Sequence, residues 1–234
     1  MDKKISLEKL SRKWIAENRS ELIKRFCSDD KHAPSETPFT IFMAGTPGAG
    51  KTEFSVSLIS QFPEPIVRID ADEIRELFRP MGYNGSNADQ VQKAAIKGVE
   101  ILHDYALHKS QNILLDGTFA YKSWRKNIDR SLKKGRPVEI YFLYQDPAIA
   151  WGFCVKRAER GGRVVPPRVF VDSYFSSIQN VEKAKNIFGG KIQVHFAVNN
   201  YQDEPMDISV NVASVENLLP KRYTKDEIER ITHG

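Results

Sequence analysis

The chain has 234 residues, 41% hydrophobic and 28% charged, with 35 Lys and Arg against 30 Asp and Glu for a formal net charge of +5. That length buries a sizeable core as one domain with small appendages, and the composition excludes a disordered, collagenous or disulfide-built chain. No run approaches the roughly 20 apolar residues of a membrane span. The first residues, "MDKKISLEKLSRKW", lack the apolar core of a signal peptide, and Cys27 and Cys154 are too far apart for paired zinc spacing. A cytoplasmic protein with plain thiols is expected.

Apolar residues Leu7, Leu10, Trp14, Leu22, Ile23 and Phe26 recur at helical spacing and predict one helix from Ile5 to Phe26, with Ser6 able to cap it. "CSDDKHAPSETP" reads as a polar linker. A buried strand, "FTIFMA", precedes a Gly-rich loop and a helix from Lys51 to Phe62. The strand "PIVRID" ends in Asp70 and leads into a short helix, "ADEIRELFR", and a loop, "PMGYNGSN". Asn87 caps a helix from Ala88 to about Lys109. A third strand, "NILLDG", carries Asp116 at its carboxyl end. The helix "YKSWRKNIDRSLKKG" stops at Gly135, and the strand "PVEIYFLY" follows. The helix "DPAIAWGFCVKRAER" stops at Gly161 and Gly162. After the loop "RVVPPR" come a helix from Val169 to about Phe188, the strand "KIQVHFAVNN", a short strand "DISVNV" and a last helix, "TKDEIERI".

Strands alternating with helices, the strands almost wholly apolar, predict an α/β sandwich with a parallel sheet buried on both faces. Ligands in such sheets sit at the carboxyl ends of the strands, where Gly45, Asp70, Asp116 and Asp146 fall.

The segment "GTPGAGKT" matches G-x-x-x-x-G-K-[ST] through Gly45, Thr46, Pro47, Gly48, Ala49, Gly50, Lys51 and Thr52. Glycines let the backbone curl with its N–H groups inward, and the positive end of the following helix adds to the field. Lys51 then reaches the β- and γ-phosphates of ATP, and the Thr52 hydroxyl binds Mg²⁺. The expected fold is a P-loop NTPase three-layer sandwich with a central, mainly parallel sheet flanked by helices. Residues 38–234 form the P-loop kinase domain, and residues 1–37 are a helix and linker packing on it.

The loop leaves the phosphate acceptor open. A kinase needs a carboxylate near the acceptor hydroxyl and cations on the moving phosphoryl group. In "RIDADEIR", Asp72 can cap the helix or act as base; its place beside the phosphate loop favours the base, and Asp70 reads as structural. Asp116 resembles a Walker B acid that holds Mg²⁺ directly or through water, the alternative being an Asp-Gly turn. Thr118 can contact acceptor or cofactor. In "KRAERGGRVVPPR", Arg157, Arg160, Arg163 and Arg168 flank two glycines, which suits a lid carrying charge to the γ-phosphate; a solvated basic helix end is the alternative.

These segments together resemble the zeta toxin family, whose members are UDP-N-acetylglucosamine kinases, from about Phe39 to Asn200. The likeness rests on "GTPGAGKT", on "IDADEIR" against I-D-x-D-x-[FI]-[KR], on "LLDGT" against an apolar run and [ED]-G-T, and on a helix ending in arginine with a second arginine before "VVP". The resemblance implies that Asp72 deprotonates the sugar 3′-hydroxyl, that Glu100 and Thr118 bind substrate, and that Arg157 and Arg163 grip the ATP phosphates. It implies a toxin acting on a UDP-sugar and a small helical antitoxin as partner. The family commonly carries an arginine just after G-T; here Phe119 and Ala120 stand there, with Lys122 and Arg125 one turn on.

Two other readings follow from the residues. The basic segment holding Trp124 suits a nucleic-acid end kinase, but Ile128 and Leu132 at helical spacing from Trp124 make that face core, and no nucleic-acid partner is expected. A regulatory NTPase would leave Asp72 without a task.

Overall fold

The computed structural model describes residues 6–199 and 207–233. Ser6 caps α1 (Leu7–Glu17), its hydroxyl accepting from the Lys9 amide at 3.4 Å. The predicted single helix is two. Asn18 breaks it: its backbone leaves the helical region at φ −112° and ψ 33°, its side-chain amide joins its backbone N–H on the Trp14 carbonyl, at 2.9 and 2.8 Å, and α2 (Arg19–Cys27) starts after it. The predicted start at Ile5 lies outside the described residues.

From there the chain builds β1 (Thr40–Ala44), α3 (Lys51–Ile59), β2 (Ile66–Asp70), α4 (Ala71–Glu76), α5 (Ala88–His108), β3 (Asn112–Asp116), α6 (Trp124–Lys133), β4 (Val138–Tyr144), α7 (Pro147–Glu159), α8 (Pro167–Phe188), β5 (Gln193–Val198), β6 (Asp207–Ser209) and α9 (Lys225–His233). Two starts differ from the pattern. α6 begins at Trp124, three residues late, after a turn closed by the Tyr121 carbonyl. α8 begins at Pro167, inside the expected loop, because a proline at the first helical position loses no hydrogen bond. Asn87 stands before α5 but does not cap it; its side chain accepts from Asn84 N and donates to Gly82 O, closing the preceding loop. The predicted end of the fifth strand at Asn200 lies outside the described residues.

The strands form one sheet in the order β2-β3-β1-β4-β5-β6, with β6 antiparallel and the rest parallel. From β1 the chain steps outward to β2, then returns in the opposite direction through β3, β4 and β5. Right-handed crossovers therefore put α3 on one face and α5, α6 and α8 on the other. Phe54, Leu58 and Ile59 of α3 pack on Ile41, Met43 and Leu114; Leu102, Ile128 and Phe170 lie in the larger cluster opposite. Leu7, Ile15, Leu22 and Cys27 join that larger cluster, carried by α1 and α2 on the back of α5. Trp124 and Ile128 are buried and Leu132 packs against them, as the helical spacing predicts. No described helix is long and apolar enough to cross a membrane.

The connection that leaves β1 runs to one face of the sheet and those that leave its parallel neighbours β3 and β4 run to the other, which opens a crevice at the strands' carboxyl ends, where the phosphate-loop segment begins.

Candidate active site

The loop after β1 turns on glycine. Gly45 has φ +126°, and a Cβ there would sit 2.2 Å from the Leu143 carbonyl oxygen; Gly48 has φ +79°, with 2.0 Å to the Ala150 oxygen. Both positions exclude a side chain, so the strand β4 and the start of α7 press directly on the loop backbone. Asn199, at the end of β5, donates from Nδ2 to the Ala49 oxygen at 3.1 Å, and the Gly45 amide donates to Thr118 O at 3.3 Å. Lys51 opens α3 with its side chain turned back over the loop, Nζ donating to the Thr46 oxygen at 2.6 Å. Burial pulls its pKa down to about 8, against the pull of Asp116. The Thr46 hydroxyl is buried and has no hydrogen-bond partner among the described residues. A buried cation, an unused hydroxyl and a backbone that excludes side chains at Gly45 and Gly48 fit a phosphate chain.

Asp70 and Asp116 are register partners at the tips of β2 and β3, so two carboxylates stand side by side. Arg68, two residues back on the same face of β2, answers both: Nη2 donates to Asp70 Oδ2 at 2.8 Å and to Asp116 Oδ2 at 2.9 Å, and Nη1 pairs with Glu73. The Arg68 Nε and Ser55 Oγ also reach Asp116 Oδ2, at 3.1 and 2.9 Å. Burial and then the neighbouring Asp116 push the Asp70 carboxyl up to about 7. Asp70 is the N-cap of α4, its Oδ1 accepting the Asp72 amide at 2.7 Å. The cap role thus belongs to Asp70, and the Asp72 side chain is left free for the crevice.

There the Asp72 carboxylate, 37% exposed, meets Arg163 at 3.2 Å, Arg157 at 3.5 Å and Arg75 of its own helix. Burial alone would raise its pKa; Arg163, Arg75 and Arg157 outweigh that and hold it below the usual carboxylate value. Arg157 and Arg163 also lower the Lys51 pKa, so the two guanidinium groups lie within electrostatic reach of both the phosphate loop and the carboxylate. Arg75 is buried, and Gln92 of α5 takes its other nitrogen.

The arginine segment is held from the acceptor side. Val164 N donates to Gly85 O, and Arg79 Nη2 to Gly161 O, each at 3.1 Å. Arg168 is not part of this cluster: it is exposed and 3.7 Å from Asp172 on its own helix.

Glu100 is exposed on α5 and paired with Lys97 at 3.2 Å; no contact joins it to Asp72 or the arginines. Thr118 lies beside the loop, its hydroxyl accepting from Ala120 N at 3.3 Å. Phe119 is fully buried at φ +58°, with Phe42 and Trp124 as ring neighbours. Arg125 is exposed beside Asp129, 4.0 Å away. Sequence reasoning missed Arg68, Ser55, Arg75 and Gln92. Arg68 had a signal, a cation inside the otherwise apolar strand "PIVRI"; Gln92 had none.

A family model described as "Zeta toxin" matches residues 24–208. No curated protein matches the chain. A chain of the PezAT chromosomal toxin-antitoxin system of Streptococcus pneumoniae has the same fold, with TM-score 0.70 and 17% identity over 97% of this chain and 96% of that one. A chain of the AvrRxo1-ORF1:-ORF2 complex with ATP gives TM-score 0.63 and 16% identity over 96% of this chain and 71% of that one.

Proposed function

Because the chain belongs to the zeta toxin family, we propose that it is an ATP-dependent kinase and the toxin of a toxin–antitoxin pair. It transfers phosphate to a hydroxyl of a nucleotide-linked sugar, UDP-N-acetylglucosamine or a related UDP-sugar. The observation that carries this reading is one carboxylate, Asp72, facing two arginines that also act on the phosphate-loop lysine. A regulatory NTPase gives such a carboxylate no task.

Asp72 takes the proton from the acceptor hydroxyl as its oxygen bonds to the γ-phosphorus of ATP and the bond from that phosphorus to the β–γ bridging oxygen breaks, ADP leaving. Arg157 and Arg163 neutralise the equatorial oxygens of the transferred group, and Lys51 draws the β- and γ-phosphates into the loop. Thr118 and Glu100 are the proposed substrate contacts. Among the described residues no cluster of three His, Cys, Asp or Glu side chains can cage a metal. An exposed Thr52 residue and Asp116, whose Oδ2 takes every hydrogen bond the carboxylate accepts among the described residues, fit an ion that relies mainly on phosphate oxygens and water. Mg²⁺ held there would neutralise charge between the β- and γ-phosphates.

We place the kinase in residues 38–234, with the described part of the segment before it, α1 and α2, packed on it, and a small helical antitoxin as partner. The fold shared with the PezAT chain and the ATP-bound AvrRxo1 complex supports both the partner and the nucleotide. Mass spectrometry of UDP-sugars incubated with the protein, ATP and Mg²⁺ tests the reading. One added phosphate on a UDP-sugar is expected; ATP turnover with every UDP-sugar left unmodified would overturn the acceptor.

A further inference from the structure

We infer that Arg68 is a positioning residue that locks the donor side of the crevice to its acceptor side. The inference rests on the kinase reading, and it concerns a residue that neither touches the reacting atoms nor belongs to the phosphate loop.

The parallel register forces the problem that Arg68 solves. Asp70 and Asp116 are paired across β2 and β3 and point to the face covered by α3. Two buried carboxylates side by side repel, and burial strips away the water that would screen them. A guanidinium has a planar fork that bonds two acids at once; a lysine at the same place offers a single point charge. Arg68 uses the whole fork. Nε and Nη2 hold Asp116, Nη2 also holds Asp70, and Nη1 holds Glu73 on α4. Its side chain is 13% exposed, so these bonds replace water and do not compete with it.

The bonds continue in both directions. On the donor side, Ser55 of α3 accepts from Arg68 Nε at 3.1 Å, and its one proton goes to Asp116 or to the Thr52 oxygen, each at 2.9 Å. That reaches the turn of α3 opened by Lys51. On the acceptor side, Asp70 receives the backbone amide of Asp72 itself. One guanidinium therefore stands between the helix that holds the phosphates and the helix that carries the base. A displacement of about 1 Å between reacting groups can cost ~10²-fold in rate.

The test replaces Arg68 with Met, which keeps length and apolar stem, and with Lys, which keeps charge and loses the fork. In R68M, turnover should fall at least ~10-fold while ATP affinity stays within ~3-fold of wild type, since Lys51 and the loop are untouched. R68K should show the same split at smaller size, and it carries the test if R68M does not fold. Turnover within ~2-fold of wild type, or equal losses of turnover and ATP affinity, would overturn the inference. Hydrogen exchange at the Asp72 amide reads the relay with no acceptor present. It should quicken at least ~10-fold in the variant while α3 amides hold their rate. Unchanged exchange overturns the Arg68 role. Quickened exchange in a protein that phosphorylates no UDP-sugar removes the acceptor assignment and leaves the Arg68 role standing.

Discussion

Asp72 and Arg163 meet at 3.2 Å although 91 positions separate them along the chain. One sits on the first turn after β2 and the other follows the glycines that end α7, so their meeting defines the crevice. Replacing Asp72 with Asn removes a proton acceptor and keeps the shape. Phosphate transfer should fall by ~10²–10⁴, the usual worth of a general base. ATP should still bind, because Lys51 and the loop amides do not touch the changed atom. A radiolabel-transfer assay beside a fluorescent-ATP titration separates the two, and normal turnover would remove Asp72 from the mechanism.

The same arginines set an acid limit. They hold the Asp72 carboxyl below its ordinary value despite its burial. A group whose folded pKa is depressed contributes stability above its unfolded pKa and loses it as pH falls through the folded one. Activity should therefore persist through mildly acid pH and fail only below the ordinary carboxylate range, near 4. Thermal melting of wild type and Asp72→Asn across that range should converge as pH drops. Curves that stay parallel would show that the ion pairs add no pH-linked stability.

Lys51 offers a test at the other end of the scale. Burial brings its pKa to about 8, while bound phosphate favours the charged form. Binding ATP above that pH must then take up a proton, and affinity should weaken as pH rises past 8, by at most ~10-fold per unit. In Lys51→Ala, affinity should be lower throughout and this slope should vanish. Calorimetry in two buffers of different ionisation enthalpy counts the proton directly. A slope that survives in Lys51→Ala would assign it to another group.

Trp124 decides between a nucleic-acid surface and a core face. It is 7% exposed, and Ile128 on the next turn is fully buried. Trp124→Ala should destabilise the fold by ~3–5 kcal/mol, as a deleted buried aromatic does. Chemical denaturation measures that. Oligonucleotide binding that weakens steeply with salt and needs Trp124 would restore the nucleic-acid reading.

How much of this was legible depends on how local each signal is. The phosphate loop is written in eight consecutive residues whose spacing carries its own physics, so Gly45 to Thr52 and the flanking β1 and α3 could be read directly. Asp72 could be separated from Asp70 because a strand end and a helix start differ within three residues. Arg68 could not be understood that way. Its role comes from the pairing of β2 with β3, and Asp116 is 46 positions from Asp70 in the chain. Asn18 escaped because apolar spacing runs on across it, while the break is made by one amide turning back on Trp14. The proline pair at 166–167 reads as loop because proline bars the interior of a helix, yet it fits the first turn. Phe119 shows the reverse limit. Its place after Gly-Thr suggests the crevice, but the backbone turns to φ +58° and buries the ring.

Gly85 and Gly82 supply a matched pair for the arginine segment. Both have positive φ, +90° and +108°, so alanine strains the backbone at each. They differ in what a Cβ would meet: at Gly85 it would stand 2.3 Å from the Gly162 oxygen, and at Gly82 no atom of the described residues lies within 4 Å. Gly85 O also receives the Val164 amide, next to Arg163. Gly82→Ala should therefore cost stability alone, on the order of 1 kcal/mol. Gly85→Ala should add a shift of the segment that aims Arg163 at Asp72, lowering turnover ~10–100-fold. ATP should still reach Lys51 in both. Steady-state kinetics beside thermal melting distinguishes them, and equal turnover at equal stability would mean that the contact between the Gly85 loop and the arginine segment does not set the position of Arg163.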